Sequence, residues 1–112
     1  RIPTPEPSLF YVKAFIDRMV ELARHQNKCD NITFHIDIAP ADLIVYADEN
    51  LISQVVINLL KNAIQAIDTQ ADGKIEIQGR CNAAEEILIE IKNNGPAIPS
   101  YIHSFFYHQR RR

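Results

Sequence analysis

The chain has 112 residues, of which 46% are hydrophobic and 23% are charged, and its formal net charge is −2. A chain of this length forms one domain at most, and a near-neutral charge argues against a nucleic-acid-binding surface. No apolar stretch approaches the ~20 residues that a membrane-spanning helix needs.

The first half of the chain predicts a linker, a helix and two strands. The first seven residues, RIPTPEP, contain three prolines and are expected to be an extended linker. Ser8–Cys29 is predicted to be a helix, because apolar residues recur on one face and charged residues on the other. Ile32–Ile38 alternates apolar and polar residues, which predicts a half-buried strand with His35 on its open face. Leu43–Tyr46 is a short second strand.

A longer amphipathic helix is predicted over Ala47–Asp68, with Asp48 as its N-cap. Asn58 and Asn62 are four residues apart, so their side chains share one edge of its apolar face. Asparagine is unfavourable inside a helix, because its side chain competes for backbone hydrogen bonds. The pair fits either a solvated polar face or a site that holds a polar ligand or a hydrated metal ion.

Two further strands are predicted over Lys74–Cys81 and Glu86–Lys92, and the second ends abruptly in Asn93-Asn94-Gly95-Pro96. Alone, this tetrapeptide predicts a turn. Gly95 allows backbone conformations closed to other residues, and it allows a ligand to approach closely. The order helix, strand, strand, helix, strand, strand predicts a two-layer α+β sandwich, with a ligand between the helices and the far end of the sheet.

Two of these segments carry a resemblance to a known family. NLLKNAIQA, from Asn58 to Ala66, resembles the N box of bacterial sensor histidine kinases, NLLxNAxxA. The turn from Asn93 resembles the first glycine box of the histidine-kinase, gyrase, Hsp90 and MutL ATPase superfamily. The resemblance covers roughly Pro3–Pro99, and the N box is its specific part. It implies an α+β two-layer sandwich of the histidine-kinase/gyrase/Hsp90 type, incomplete at its C-terminus.

The resemblance also implies an ATP site. By position, Asn62 would ligate Mg²⁺ and Asn58 would support the phosphates, and Mg²⁺ favours a few hard oxygen ligands. Asn93 stands where the family has an aspartate that accepts a hydrogen bond from the adenine amino group, and its amide oxygen accepts without the charge. Gly95 matches the first glycine of the box, and Ala97 replaces the second. These two departures predict nucleotide binding that is weak or absent in this chain. No catalytic residue is implied in this chain.

The end of the chain departs from the family pattern. A lid segment and a second glycine box are expected after the first, and phosphoryl transfer needs the γ-phosphate held and water excluded. We therefore expect residues 8–99 to be a partial ATP-binding domain, inactive by itself, and residues 100–112 to be an aberrant tail. On one possible coding sequence, YIHSFFYHQRRR read one base later becomes IFIPFFTTKEEG, which resembles the phenylalanine box that precedes the lid. A frameshift is one interpretation, and an ordinary basic tail is the other.

For the full-length protein, the resemblance implies ATP-dependent phosphorylation of a protein histidine in two-component signal transduction. Its implied partners are an upstream dimerisation and phosphoacceptor domain, joined through residues 1–7, and a response regulator. An alternative is a non-catalytic interaction module with the same fold, and open strand edges predict pairing with a second copy. Another ATPase branch is disfavoured, because those branches carry a glutamate in the N box.

Two cysteines, Cys29 and Cys81, fit no metal or redox spacing. They predict reduced thiols in a cytoplasmic protein. Any membrane anchor would belong to a part of the protein outside these residues.

Overall fold

The structure is a computed structural model that describes residues 4–96 and the strand at 102–108. Its elements alternate short strands with two helices, in the order β1 (Ser8–Tyr11), α1 (Val12–Gln26), β2 (Ile32–Ala39), β3 (Ile44–Ala47), α2 (Glu49–Ile67), β4 (Gly73–Cys81), β5 (Glu86–Asn93) and β6 (Ile102–His108).

Four of the strands form one mixed sheet in the order β2-β4-β5-β6, in which only the β2–β4 pair is parallel. Both helices pack against this sheet, and β1 and β3 form a separate antiparallel pair. The alternating strands supply one layer of the core, and the apolar faces of the helices supply the other. The predicted α+β two-layer sandwich is confirmed.

The start of the first helix was predicted wrongly. Ser8–Tyr11 is not helical but pairs with β3, in a register that joins Ser8 to Ala47 and Tyr11 to Ile44. The helix begins only at Val12, whose backbone N–H donates to the carbonyl of Leu43 at 2.9 Å. Pairing of β1 with β3 satisfies backbone groups that a longer helix would leave open on β3. This partner lies more than 30 residues away in sequence, so local periodicity could not reveal it.

The second helix matches its prediction closely at both ends. The carboxylate of Asp48 accepts hydrogen bonds from the backbone N–H groups of Asn50 and Leu51, so it is the N-cap. The buried face is centred on Val56, Leu60 and Ala63. Leu51 lies outside that face and is 49% exposed, although its spacing placed it with the apolar residues.

The strand at 102–108 was not predicted. It pairs antiparallel with β5, in a register that runs from Glu86 opposite His108 to Lys92 opposite Ile102. The edge of β5 that the sequence left open is therefore covered. How residues 100–112 arose stays a prediction.

Candidate functional site

The last turn of α2 touches the loop that follows β5. A Cβ atom added to Gly95 would lie 2.6 Å from the carbonyl oxygen of Ala66 and 2.8 Å from its carbonyl carbon. Real Cβ atoms do not approach backbone atoms so closely, so only glycine fits here. The two segments that the sequence singled out are thus in direct contact.

The role of Gly95 differs from the expected one. No described glycine has a positive φ, so this position does not use glycine's conformational freedom. The space that its missing side chain leaves is occupied by the backbone of α2 at Ala66. Gly95 therefore sets the distance between the loop and the helix.

Asn58, Asn62 and Ala66 lie four residues apart in turn, and therefore form one row along α2. At a rise of about 1.5 Å per residue, Asn62 stands about 6 Å and Asn58 about 12 Å along the axis from Ala66. Both asparagines are exposed, and within residues 4–96 neither side-chain amide has a hydrogen-bond partner. The row therefore extends from the exposed amides of Asn58 and Asn62 to the contact between Ala66 and Gly95.

Asn93 is the buried polar side chain of this region. It is 7% exposed, and it is the only buried polar residue among those whose burial the structure describes. It lies opposite Ile75 in the β4–β5 register, and two residues along β5 from the buried Ile91. Its Oδ1 accepts a hydrogen bond from the backbone N–H of Gly95 at 2.8 Å. The core layer of the sheet thus ends in an amide beside the loop.

Asn94 and Gln70 fix the loop in place, and sequence reasoning did not find this role. Asn94 Oδ1 accepts from the backbone N–H of Lys74 at 2.7 Å, and its Nδ2 donates to the carbonyl of Asp72 at 3.0 Å. Gln70 Nε2 donates to the carbonyl of Asn94 at 3.0 Å. The doubled asparagine was the available signal, since the first side chain turns into the core and the second ties the loop to the α2–β4 turn.

Ala97, the remaining predicted site residue, lies outside the described residues. Within the described part of the chain, no group of three or more histidine, cysteine or acidic side chains could hold a metal ion. A Mg²⁺ ion beside Asn62 would then rely on one amide oxygen, with phosphate and water oxygens for the rest. No helix within the described ranges is long and apolar enough to cross a membrane.

A small cavity of about 20 Å³ lies in the core, away from the asparagine row. It is lined by apolar side chains only, from the β1–β3 pair, both helices and β5. This cavity offers no polar partner to bound water or to a polar ligand, and we read it as a packing feature.

Neither cysteine takes part in this region. Burial raises the pKa of the Cys29 thiol above its ordinary value, although the nearby Arg24 opposes that shift. A thiol with a raised pKa is less often ionised and hence less reactive.

Comparison with known proteins shows which family the chain resembles. A family model described as histidine kinase-, DNA gyrase B-, and HSP90-like ATPase matches residues 47–112. The adaptive-response sensory kinase SasA of Synechocystis is 40% identical over 83 residues, which are 73% of this chain and 21% of that protein. The C4-dicarboxylate transport sensor protein DctB of Rhizobium meliloti is 36% identical over 81 residues, 71% of this chain and 12% of that protein. The chain spans about a fifth of the first of these relatives and less of the second.

Solved structures of histidine kinases are also similar to this chain. The catalytic domain of histidine kinase ThkA superposes with a TM-score of 0.72 at 33% identity, covering 84% of this chain and 62% of that one. ThkA in complex with response regulator protein TrrA gives a TM-score of 0.70 at 32% identity, over 83% of this chain and 27% of that one.

Proposed function

The chain belongs to the histidine kinase-, DNA gyrase B-, and HSP90-like ATPase family, and we propose that it binds ATP with Mg²⁺ as part of a sensor histidine kinase. The observation that carries this proposal is the contact between Gly95 and Ala66, which joins the N-box helix to the glycine loop. A nucleotide that lies along the asparagine row would have its phosphates beside α2 and its base beside the loop.

Each residue has a distinct proposed role. The Asn62 amide oxygen ligates Mg²⁺, and Asn58 supports the phosphates. Asn93 receives the base, Gly95 keeps the loop close to the helix, and Ala97 belongs to the loop that closes on the base. The open amides of Asn58 and Asn62 support this proposal, because a ligand need not displace any hydrogen bond that they make within residues 4–96.

Binding is expected to be weak on account of the neutral amide of Asn93. A hydrogen bond to a charged group is typically worth ~1 kcal/mol more than one between neutral groups. The amide oxygen also already accepts from Gly95, whereas a carboxylate has a second oxygen to offer.

The activity of the whole protein is a further proposal. We infer ATP-dependent phosphorylation of a protein histidine in a phosphorelay, with transfer to a response regulator. The sensor-kinase relatives and the ThkA–TrrA complex support this inference. Residues 1–7 would lead from a dimerisation domain into a nucleotide-binding unit at 8–99, in the cytoplasm. Two copies would pair through an outer edge of the four-stranded sheet, since β6 covers the edge of β5.

A titration followed by ¹H–¹⁵N NMR spectra tests the nucleotide site, and it tolerates weak binding. Mg·ADP should cause larger chemical-shift changes at Asn58, Asn62, Asn93 and Gly95 than at residues on the opposite end of the sheet. Asn62→Ala should weaken binding at least about fivefold, because the metal loses its protein ligand. Asn50→Ala is the matched control, since Asn50 is exposed at the other end of the same helix.

If Mg·ADP at high concentration causes no chemical-shift changes at these residues, the proposed nucleotide site is refuted. The interaction module would then be the better function. Two large side chains on α2 favour that candidate, since Leu51 is 49% and Val55 is 42% exposed.

A further inference from the structure

The orientation of the Asn93 amide is set by its surroundings. The backbone N–H of Gly95 points at one arm of the amide, at 2.8 Å, and an N–H donor requires an acceptor. If the amide were flipped, its NH₂ group would face that N–H, and two donors would oppose each other. The atom that faces the Gly95 N–H is therefore the amide oxygen Oδ1, as the hydrogen-bond network requires.

This orientation leaves the Nδ2 group of Asn93 as a buried donor. Within residues 4–96 it has no acceptor, although the residue is only 7% exposed. Buried polar groups are nearly always hydrogen-bonded, and the base of a bound nucleotide can supply an acceptor to this donor.

The side chain of Asn93 differs from a carboxylate because it offers hydrogen-bond donors as well as an acceptor. An ionised aspartate offers acceptors only, so it accepts from the 6-amino group of adenine and repels a 6-oxo group at the same place. Asparagine offers Nδ2 donors together with the second lone pair of Oδ1. A 6-oxo group can therefore accept from Nδ2, and a 6-amino group can still donate to Oδ1.

We propose that Asn93 makes this site accept 6-oxopurine nucleotides, those of hypoxanthine or guanine, as well as adenine nucleotides. The inference rests on the proposed nucleotide function and concerns the base alone. The phosphates and Mg²⁺ remain at the asparagine row whichever base is bound.

The test compares Mg·ADP with Mg·IDP, which differ in the groups at purine positions 6 and 1. Dissociation constants are measured for the 112-residue chain and for Asn93→Asp by the same NMR titration. In the unsubstituted chain the two constants should agree within about threefold, or favour IDP, since both bases find a partner. In Asn93→Asp, ADP should bind about tenfold more tightly than IDP, because the carboxylate repels the 6-oxo group.

Asn50→Asp adds the same charge at the first turn of α2, far from the loop, and should leave the ratio unchanged. A preference for ADP of more than about threefold in the unsubstituted chain would overturn the inference and leave the nucleotide site intact. An equal ratio in Asn93→Asp would overturn it too, since Asn93 would not be the determinant. If neither nucleotide binds the folded chain or its Asn93→Asp variant, the proposed function itself fails, and this inference fails with it.

Discussion

Replacement of Gly95 by alanine should damage both stability and nucleotide binding. The added Cβ would meet the carbonyl oxygen of Ala66 at 2.6 Å, whereas ordinary contact begins at 3.4 Å, so the loop must move by about 0.8 Å. The obstacle is helix backbone in the last turn of α2, which cannot rotate aside as a side chain can. Overpacking of this kind costs about 1–3 kcal/mol.

Displacement of the loop should also move the side chain that is proposed to bind the base, because Asn93 Oδ1 accepts a hydrogen bond from the N–H of Gly95. A shift approaching 1 Å between the loop and the asparagine row should lower affinity for Mg·ADP at least about tenfold. Urea unfolding measures the loss of stability, and the NMR titration measures the loss of binding.

Gly79→Ala is a matched control in β4. Its added Cβ would meet Ile38 Cδ1 at 2.8 Å and Ile89 Cδ1 at 3.2 Å, and both atoms are ends of flexible side chains. These can give way, so Gly79→Ala should cost less stability and should leave the affinity for Mg·ADP unchanged. The reasoning is refuted if Gly95→Ala unfolds and binds like the unsubstituted chain, or if Gly79→Ala is the more damaging change.

Substitutions at three further positions test the structure around the site. Asp48→Ala should destabilise the fold in urea, and Asp48→Asn should do so less, because an amide still caps the helix. Backbone N–H groups, that of Glu6 first and then that of Leu51, lower the pKa of Asp48, so its contribution is present above the ordinary aspartate range and is lost as the pH falls through the lowered pKa. An acid titration of stability should therefore be flatter in Asp48→Asn, and equal slopes would contradict this assignment. Asn94→Ala should cost about 1 kcal/mol and weaken Mg·ADP binding, because the loop loses its bonds to the α2–β4 turn. Leu60→Ala, at a fully buried position, should cost about 2–5 kcal/mol in the same urea assay.

Local periodicity in the sequence determined most of the elements of this protein. Alternation predicted β2 as Ile32–Ile38 against the observed Ile32–Ala39, and helical spacing with the Asp48 cap predicted α2 to within two residues at each end. The shared edge of Asn58 and Asn62 also followed from sequence, because a four-residue separation fixes their relative direction on any helix. These features depend on neighbours within a few positions, and so they can be read without a fold.

Tertiary structure alone decided what depends on distant partners. Ser8–Tyr11 is a strand because its backbone pairs with that of β3, and residues 102–108 form a strand because their backbone pairs with that of β5. Gly95 is needed for space beside Ala66, a contact between residues 29 positions apart that no turn signal contains. The buried, oriented amide of Asn93 likewise exists because the core layer of the sheet ends beside the loop. Packing between separate segments sets the burial and the available space, and local spacing carries neither.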